Sequence, residues 1–475
     1  MRRIVCKYLI ILSDAVIMAA ALYVAGVFFD GCNGPCGPVL SAGPAIIIPV
    51  FLAFLFISSS FVSGQYTRRQ LIWDDARIIV KTLLVIAFIH VSLIGMEAAP
   101  GTVSTSLALW GCLAFLIPVG RLLSKRILRA VRLWQVPTMI VGCGDNALQA
   151  SLTMQREPSL GYEVKAFVQI AENYPVHPDL DDARIVRLSG DKEQQSDEAL
   201  DRLFSGHHVL IAPEDMADEG CLHVMDVLAA RGYQIDAVPP LRGLSLLGME
   251  ISHLFGRELM ILHTRNSLAR PVRKAMKRCV DLVIASLALL LFLPLLAVVA
   301  YSIRREDKGP IFFAHSRTGY NGKDFPCLKF RTMRTDAEQM LAKWQAEDSE
   351  IWQEFVRNSF KLKDDPRITR IGHFLRATSL DELPQIINVL KGDMSIVGPR
   401  PRPRAELEGI GMSYLHYCRV RPGITGLWQV SGRSNTSQDE RIVYDEWYIR
   451  NWSLWYDFVI ILKTIPAVLK RDGAY

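Results

Sequence analysis

Long apolar runs near the N-terminus set the first constraint on how this chain can fold. They cover about residues 4–29, 44–62, 78–96 and 105–122, and each is long enough to cross the hydrocarbon core of a bilayer as a helix. Half of the 475 residues are hydrophobic, and the mean hydropathy is +0.19. The first run is too long for the core of a signal peptide, so we expect it to be retained. We therefore predict a four-helix transmembrane region at residues 1–134.

The charges of the connecting segments indicate the orientation of these helices. Lys and Arg occur between the second and third runs and at or beyond the end of the fourth, at Arg68, Arg69, Arg77, Arg121, Lys125, Arg126, Arg129 and Arg132. The other two loops, residues 30–43 and 97–104, contain neither. The positive-inside rule therefore places both ends of the bundle in the cytoplasm. Within the runs, we expect Asp14 and His90 to pack against other helices. Cys32 and Cys36 would face the oxidising side and could pair.

Residues 135–265 read as a soluble Rossmann-like domain. A strand-like segment at 137–141 leads into Gly142-Cys143-Gly144-Asp145-Asn146-Ala147, and apolar runs at 164–170, 208–212 and 234–239 alternate with helical segments. This alternation predicts an open parallel sheet. The Gly-x-Gly-x-x-Ala pattern could bring a pyrophosphate to a helix N-terminus, or it could only make a tight turn, and both readings stay open. Glu172 is a loose candidate for a ribose-binding acid.

A fifth apolar run, residues 280–303, is interrupted by Pro294 and has cations at both ends. Lys277 and Arg278 precede it, and Arg304 and Arg305 follow it, so a straight span would put one basic cluster outside. Proline removes a backbone hydrogen bond and bends a helix, which lets both ends return to one face of the membrane. We predict a re-entrant helix at 280–303, bent at Pro294, within a third domain at 266–475. A true span or a buried helix is the alternative.

The adjacent acids Asp381 and Glu382 are the candidate centre of the chemistry. Neighbouring carboxylates repel each other unless a cation lies near or one proton is retained. Arg400 and Arg402 follow in the rigid turn 398–403, so the segment suits a phosphorylated, metal-bound substrate. The alternative is that the acids open a helix and that the proline-rich segment is a surface turn.

Four motifs together closely resemble the bacterial sugar transferase family, whose members are polyprenyl-phosphate phosphoglycosyl transferases with one re-entrant membrane helix. The motifs are Lys329–Met333, Asp365–Thr369, Thr378–Gln385 continuing to Pro403, and Pro422–Arg433. The resemblance covers about residues 270–475, and the remaining architecture is similar to the long WbaP-type undecaprenyl-phosphate galactose phosphotransferases. The family has Ser-Pro at the helix bend, where this chain has Leu293-Pro294.

The resemblance implies an α-rich phosphoglycosyl transferase domain on the cytoplasmic face of the bacterial inner membrane. Asp381 would attack the β-phosphate of a UDP-hexose, UMP would leave, and undecaprenyl phosphate would take up the sugar phosphate. Galactose is favoured over glucose. Asp381 and Glu382 would hold Mg2+. The expected substrate contacts are Lys329, Arg331, Arg367, Pro399, Arg400, Pro401, Gln429 and Arg433. The product would enter O-antigen, capsule or exopolysaccharide synthesis, and we expect a homodimer.

Composition argues against nucleic-acid binding and against a zinc site. The net charge of +6 comes without a long basic run, which argues against nucleic acid and favours membrane lipids and phosphates as partners. The nine cysteines are not spaced in the way that zinc ligands are.

Two rival functions stay open. The sheet domain could belong to an NAD-dependent sugar-nucleotide enzyme, although the expected Tyr-x-x-x-Lys pair is absent. The chain could also be an inactive sugar-nucleotide sensor or a scaffold. Segments 337–358 and 456–469 read as amphipathic helices, which could lie in the headgroup layer or in a core.

Overall fold

The computed structural model describes most of the chain and divides it into two compact units, Met1–Arg242 and Gly243–Tyr475. The described residues are 2–30, 44–94, 100–170, 176–187, 197–215, 219–240, 249–253, 260–263, 271–357, 362, 365–409, 412–431 and 437–469. Cys32, Cys36, Glu172 and Arg433 lie outside this part of the chain. The predicted domain boundaries at residues 134 and 265 remain predictions.

The four N-terminal apolar runs are helices, as predicted. They are α1 (Arg2–Asp30), α2 (Pro44–Val62), α3 (Ile72–Ile94) and α4 (Pro100–Ala130). In α1, α3 and α4 the apolar stretch is long enough to cross a membrane, whereas the described apolar stretch of α2, Ile48–Val62, is shorter. Their shared core is formed by fully buried apolar side chains such as Phe56, Ile79, Leu113 and Ile117.

A buried ion-pair network explains why α3 and α4 extend beyond their apolar runs. Arg121 pairs with Asp14 at 2.6 Å and with Asp75 at 2.9 Å, and Lys125 pairs with Asp75 at 2.9 Å. Asp14 therefore packs against another helix, as predicted. Arg121 and Lys125 were counted among the loop cations, but the structure places both inside the bundle, since each compensates a buried acid.

His90 is also satisfied inside the bundle. Its Nδ1 accepts a hydrogen bond from Nε1 of Trp110 at 2.9 Å and lies 2.6 Å from the Ser106 hydroxyl. A buried polar group that finds partners on a neighbouring helix contributes to packing, as we predicted for this residue.

The rest of the first unit contains a five-stranded sheet in which all strands are parallel. Its strands are β1 (Val136–Val141), β2 (Tyr162–Gln169), β3 (Ile185–Arg187), β4 (His208–Ile211) and β5 (Ile235–Ala237), in the order β3-β2-β1-β4-β5. Three helices accompany them, α5 (Asp145–Arg156), α6 (Asp197–Phe204) and α7 (Glu219–Ala230). The predicted parallel sheet is confirmed. Alternate residues of β1 enter two cores, with Val141 on one face and Ile140 on the other.

The second unit is mainly helical. Its strands are β6 (Glu250–His253), β7 (Met260–His263), β8 (Phe312–Thr318), β9 (Asp324–Phe330), β10 (Ser395–Val397) and β11 (Gly423–Thr425). Its helices are α8 (Pro271–Glu306), α9 (Ala337–Ala346), α10 (Glu350–Arg357), α11 (Arg370–Thr378), α12 (Gln385–Lys391), α13 (Arg404–Glu408), α14 (Met412–Cys418), α15 (Leu427–Ser431), α16 (Gln438–Arg450) and α17 (Leu454–Leu469). β6 pairs antiparallel with β7, and β8 pairs antiparallel with β9.

One predicted helix of this unit is two helices. The segment 337–358 was expected to be continuous, but α9 and α10 are separated by a turn in which Asp348 has a φ of +39°. Left-handed backbone cannot continue a right-handed helix, so the chain changes direction there. Trp344 of α9 and Phe355 of α10 are both buried.

The fifth apolar run lies in α8, a 36-residue helix with Pro294 inside it. On the N-terminal side of Pro294, Ala285 packs in a cluster with Phe325 and Val389. On the C-terminal side, Ile303 packs in a cluster with Phe330. Other α8 side chains are more than half exposed and apolar, among them Val283, Leu287, Leu290, Leu291, Leu293 and Val298. The helix therefore packs along much of its length on one folded unit and presents an apolar surface elsewhere.

Candidate functional site

The acid pair lies in a short 3-10 turn, Leu380–Glu382, between α11 and α12. Ser379 ends α11 with a left-handed φ of +56°, which turns the chain out of the helix. Leu380 packs in the cluster of Ile303, and Leu383 packs in the cluster of Ala285. The two leucines thus anchor the turn to parts of α8 on either side of Pro294.

Two cations face the acids, one from the same motif and one from a strand distant in sequence. Nζ of Lys329, on β9, lies 2.7 Å from Oε1 of Glu382 and 3.6 Å from Oδ2 of Asp381. Nη2 of Arg400 lies 3.6 Å from Oε1 of Glu382. The Arg400 side chain is 42% exposed, against 14% for Asp381, so its guanidinium can still reach a soluble ligand.

The loop that carries Arg400 is held by close backbone contacts. Gly398 N donates to Thr425 O at 2.9 Å, and Gly423 N donates to Pro399 O at 2.8 Å. A Cβ on Gly423 would come within 2.1 Å of Gly398 N, so these two backbones can approach only with glycine at that position. The Tyr417 hydroxyl donates to Arg400 O at 3.0 Å. The local rigidity expected from the proline-rich sequence is therefore reinforced from β11 and α14.

The environment shifts the pKa values of the two acids in opposite directions. Burial raises the pKa of the Asp381 carboxyl above its ordinary value, and the charge of Glu382 acts in the same direction against that of Lys329. Burial also acts to raise the pKa of Glu382, but Lys329 and Arg400 outweigh it, and the pKa lies below its ordinary value. Two carboxylates whose environments shift their pKa values in opposite directions can take different roles.

Other predicted contact residues have partners elsewhere in the second unit. Arg331 pairs with Asp307 at 3.1 Å, and Arg367 pairs with Asp365 at 2.7 Å; both guanidiniums are buried. Gln429 donates to Ile424 O at 3.3 Å. Pro399 and Pro401 flank Arg400. The roles of all these residues in binding substrate remain predictions.

Arg402 points away from the acid pair although it is close to Arg400 in sequence. It pairs with Asp445 of α16 at 3.1 Å, and both side chains are buried. Burial raises the pKa of Asp445 to about 7 in spite of this arginine. The predicted grouping of Arg400 with Arg402 beside the acids is wrong, because Arg402 compensates the buried carboxylate of Asp445 instead.

The structure adds three residues that the motifs did not single out as ligand contacts. The positive charge of Arg376 lowers the pKa of Asp381, and that of Arg317 lowers the pKa of Glu382. Trp428 lies under two cations, 5.8 Å from Arg400 and 4.9 Å from Arg441, measured to the ring centroid. Trp428 could have been identified from its place in the Pro422–Arg433 motif, whereas no motif in the sequence pointed to Arg317.

The donor set of the acid pair suits a magnesium ion only in part. The described residues contain no group of three or more His, Cys, Asp or Glu side chains that could hold a metal. Two neighbouring carboxylates nevertheless match the way in which Mg2+ is often bound, by one or two carboxylates together with substrate phosphates and water. Asp381 and Glu382 fit an ion that arrives with its substrate.

A carboxylate of the chain itself, that of Glu214, occupies the glycine turn between β1 and α5. Oε1 of Glu214 accepts a hydrogen bond from Asn146 N, in the first turn of α5, at 2.6 Å. A Cβ on Gly144 would meet the same oxygen at 2.5 Å. In dinucleotide-binding sheets this helix N-terminus receives a pyrophosphate. Here a carboxylate of the chain takes that position.

Comparison with known proteins places the second unit in one family. Residues 272–471 match the family described as bacterial sugar transferase. The match covers the acid pair, Lys329, the Arg400 loop and α8.

Similarity to curated proteins extends over the whole chain. The UDP-galactose-lipid carrier transferase of Erwinia amylovora is 35% identical over 472 residues, which cover 98% of this chain and 96% of that protein. The undecaprenyl-phosphate galactose phosphotransferase of Salmonella typhimurium is 37% identical over 411 residues, 86% of this chain and 84% of the relative. The exopolysaccharide production protein ExoY of Rhizobium meliloti is 45% identical over 206 residues, 43% of this chain but 91% of that protein.

Proposed function

Because the chain belongs to the bacterial sugar transferase family, we propose that it transfers a hexose 1-phosphate from a UDP-sugar to undecaprenyl phosphate and releases UMP. Galactose is the proposed hexose, since two relatives that align with most of the chain carry galactose in their names; glucose is the alternative. The observation that carries the proposal is the juxtaposition of Asp381 and Glu382 with Lys329 and Arg400.

In the proposed reaction Asp381 is the nucleophile. An oxygen of its carboxylate forms a bond to the β-phosphorus of the UDP-hexose, and the bond from that phosphorus to the bridging oxygen breaks, so UMP leaves with the electron pair. A phosphate oxygen of undecaprenyl phosphate then attacks the same phosphorus. The lipid-linked sugar diphosphate forms, and the Asp381 carboxylate is restored.

The surrounding cations suit the charge that this reaction brings into the site. Lys329 and Arg400 lie against Glu382 in the structure and can turn toward phosphate oxygens when a donor enters. Lys329 and Arg400 lower the pKa of Glu382 below its ordinary value and so favour its ionised form, which fits a metal ligand. Asp381 and Glu382 would hold Mg2+, which neutralises developing charge on the phosphates.

The packing of α8 supports a re-entrant path. Near its N-terminal end, Lys277 pairs with Asp457 of α17 at 2.8 Å. At its C-terminal end, the Glu306 carboxylate accepts backbone hydrogen bonds from Arg370 and Ile371 of α11 at 2.9 and 3.1 Å. A straight crossing would have to carry part of the same polar unit to the far side of the bilayer. We therefore propose that α8 enters and leaves by the cytoplasmic face, with Pro294 permitting the bend.

The first unit is proposed to be non-catalytic. ExoY aligns over 91% of its length with only 43% of this chain, so a relative exists at about the size of the second unit alone. The Glu214 carboxylate at the N-terminus of α5 argues against the rival NAD-dependent function, because a second anion there would be repelled. The predicted Rossmann-like domain would then serve stability or self-association, and a homodimer remains part of the proposal.

Turnover by the purified chain tests this function most directly. The protein in detergent, with Mg2+ and a short polyprenyl phosphate, is given UDP-galactose or UDP-glucose, and UMP is measured. We expect UMP release with UDP-galactose. Asp381→Asn should reduce the rate roughly 10³-fold or more. It should also abolish attachment of labelled sugar phosphate to the protein in the absence of lipid.

Asp336→Asn is the matched control, because Asp336 is an exposed acid paired with Arg334. It should keep wild-type turnover. Ligand binding without UMP release by the wild type would favour the inactive sensor, and faster turnover of UDP-glucose would change the assigned hexose.

A further inference from the structure

A basic groove lies in the first unit, at the N-terminal end of α3. It is open, has a volume of about 550 Å3, and is lined by Arg69, Gln70, Leu71, Asp74, Arg77, Ile78, Lys81 and Leu160. Three of these side chains are cations and one is an acid. The acid pair of the second unit takes no part in it.

Arg69 is held in a fixed position at the groove. Its Nη1 donates to Leu160 O at 2.7 Å, and its guanidinium lies 4.4 Å from the ring centroid of Trp134. Gly161 makes this approach possible, because a Cβ at that position would come within 2.2 Å of Nη1 of Arg69. An arginine immobilised by stacking and by a carbonyl loses less side-chain entropy when it binds an anion.

The other two cations are available for a ligand. In the part of the chain that the structure describes, no ion pair is formed by Arg77 or Lys81, and the Lys81 side chain is exposed. They are four residues apart on α3 and therefore lie on neighbouring turns of one face. Both can turn toward a negative group in the groove.

The groove continues into an apolar stripe on the same helix. Asp74, Ile78 and Lys81 are spaced by four and three residues, and this spacing continues to Val85 and Phe88, so all five share one face of α3. Val85 is 60% exposed and Phe88 is 74% exposed. Because α3 is long and apolar enough to cross a membrane, this stripe would face acyl chains.

We propose that this groove binds the phosphate headgroup of an anionic membrane lipid, whose chains lie along Val85 and Phe88. Basic pockets at the ends of transmembrane helices suit such headgroups, and the order of cation followed by apolar surface matches the order of groups in a lipid. The ligand is a lipid that carries a phosphate group, either a phospholipid such as phosphatidylglycerol or the polyprenyl phosphate itself.

Native mass spectrometry of the full chain, released from nanodiscs of equal phosphatidylglycerol and phosphatidylcholine, tests the site. Wild type should retain phosphatidylglycerol and lose phosphatidylcholine. The double variant Arg77→Gln/Lys81→Gln should retain roughly 25-fold less, on the order of fivefold for each cation removed near an anionic lipid.

Two matched variants separate the groove from general electrostatics. Arg126→Gln/Arg129→Gln removes two exposed cations from α4 and should retain lipid as the wild type does. The exchange variant Arg77→Lys/Lys81→Arg keeps both charges and should also retain it. Unchanged retention in the glutamine double variant of Arg77 and Lys81, or equal loss in the α4 variant, would overturn the proposal. A thermal unfolding scan confirms that each variant is folded.

Competition identifies the source of the phosphate. Undecaprenyl phosphate is added at a mole fraction equal to that of phosphatidylglycerol. Displacement of phosphatidylglycerol assigns the groove to the polyprenyl lipid, and its retention assigns the groove to the phospholipid. Both results agree with a site for a lipid phosphate. Inorganic phosphate at millimolar concentration should not displace the lipid. Full displacement by inorganic phosphate would show that the lipid chains contribute nothing, which contradicts the role assigned to Val85 and Phe88.

Discussion

The Lys329 ammonium donates a hydrogen bond to the Glu382 carboxylate, with 2.7 Å between Nζ and Oε1, although the two residues are 53 positions apart in sequence. The same ammonium lies 3.6 Å from Asp381. One cation therefore influences both acids, and its removal should change how each of them titrates.

Replacement of Lys329 by Met should move the acidic limb of the pH–rate profile to higher pH. The Lys329 charge lowers the pKa of both Asp381 and Glu382, so without it both carboxylates are protonated at a higher pH. Activity that requires ionised acids is then lost sooner as the pH falls. The measurement is UMP release at saturating donor across the pH range. Lys323→Met, at an exposed lysine just before β9, should leave the profile in place.

Asp445 should make the protein less stable as the pH rises toward neutrality. Its folded pKa is raised by burial to about 7 from an unfolded value of about 3.9, so the folded state binds the proton more tightly. The stability that this proton provides is fully present below the unfolded pKa. It is lost as the pH rises through the folded value, by at most about 1.4 kcal/mol per pH unit.

Asp445→Asn tests this pH dependence, because an amide cannot lose the proton. Thermal unfolding midpoints of the variant between pH 4 and 7 should show a smaller decline with pH than those of the wild type. Asp324→Asn is the comparison, since Asp324 is exposed and paired with Arg404. An identical slope in wild type and Asp445→Asn would contradict the assignment.

Glu214 should act as a cap of α5, and the sheet should not bind a dinucleotide. Removal of its carboxylate in Glu214→Ala leaves Asn146 N without this acceptor and should cost about 1 kcal/mol of stability. Glu163→Ala, at an exposed acid on β2, should cost less. Addition of NAD+ should leave the unfolding midpoint of the wild type unchanged. A midpoint raised by NAD+ would mean that the glycine turn accepts a phosphate after all.

Single cysteines at Arg273 and Lys308, in a chain without its native cysteines, should report the path of α8. Both should resist a membrane-impermeant thiol reagent in intact cells and react when the membrane is opened, because both ends of α8 contact one folded unit. Pro294→Leu should favour a straight helix, since it restores a backbone donor and removes the ring, and should lower turnover. Labelling of either cysteine from outside would establish a crossing. Unchanged topology and turnover in Pro294→Leu would show that another feature makes the turn.

The local pattern of the sequence was sufficient for most of the elements, and it drew attention to the acid pair. Apolar runs identified α1 to α4 and α8, and alternation of strands and helices identified the parallel sheet, because hydrophobicity and periodicity act over neighbouring residues. β3 was missed, since three residues give too short a pattern. Asp381 and Glu382 stood out because two adjacent carboxylates followed by a basic, proline-rich turn form a local motif, and the resemblance of the surrounding motifs to one family supported the choice.

Only the tertiary structure decided which charges meet. Arg400 faces Glu382 while Arg402 pairs with Asp445, although both lie in one proline-rich turn. Arg331, an expected substrate contact, pairs with Asp307. Arg121 is inside the helix bundle because Asp14 lies opposite it, 107 residues earlier. Charged side chains are long and pair with whichever buried opposite charge the fold brings within reach, since an unpaired buried charge is costly. That choice depends on distances between segments remote in sequence, which no local pattern contains.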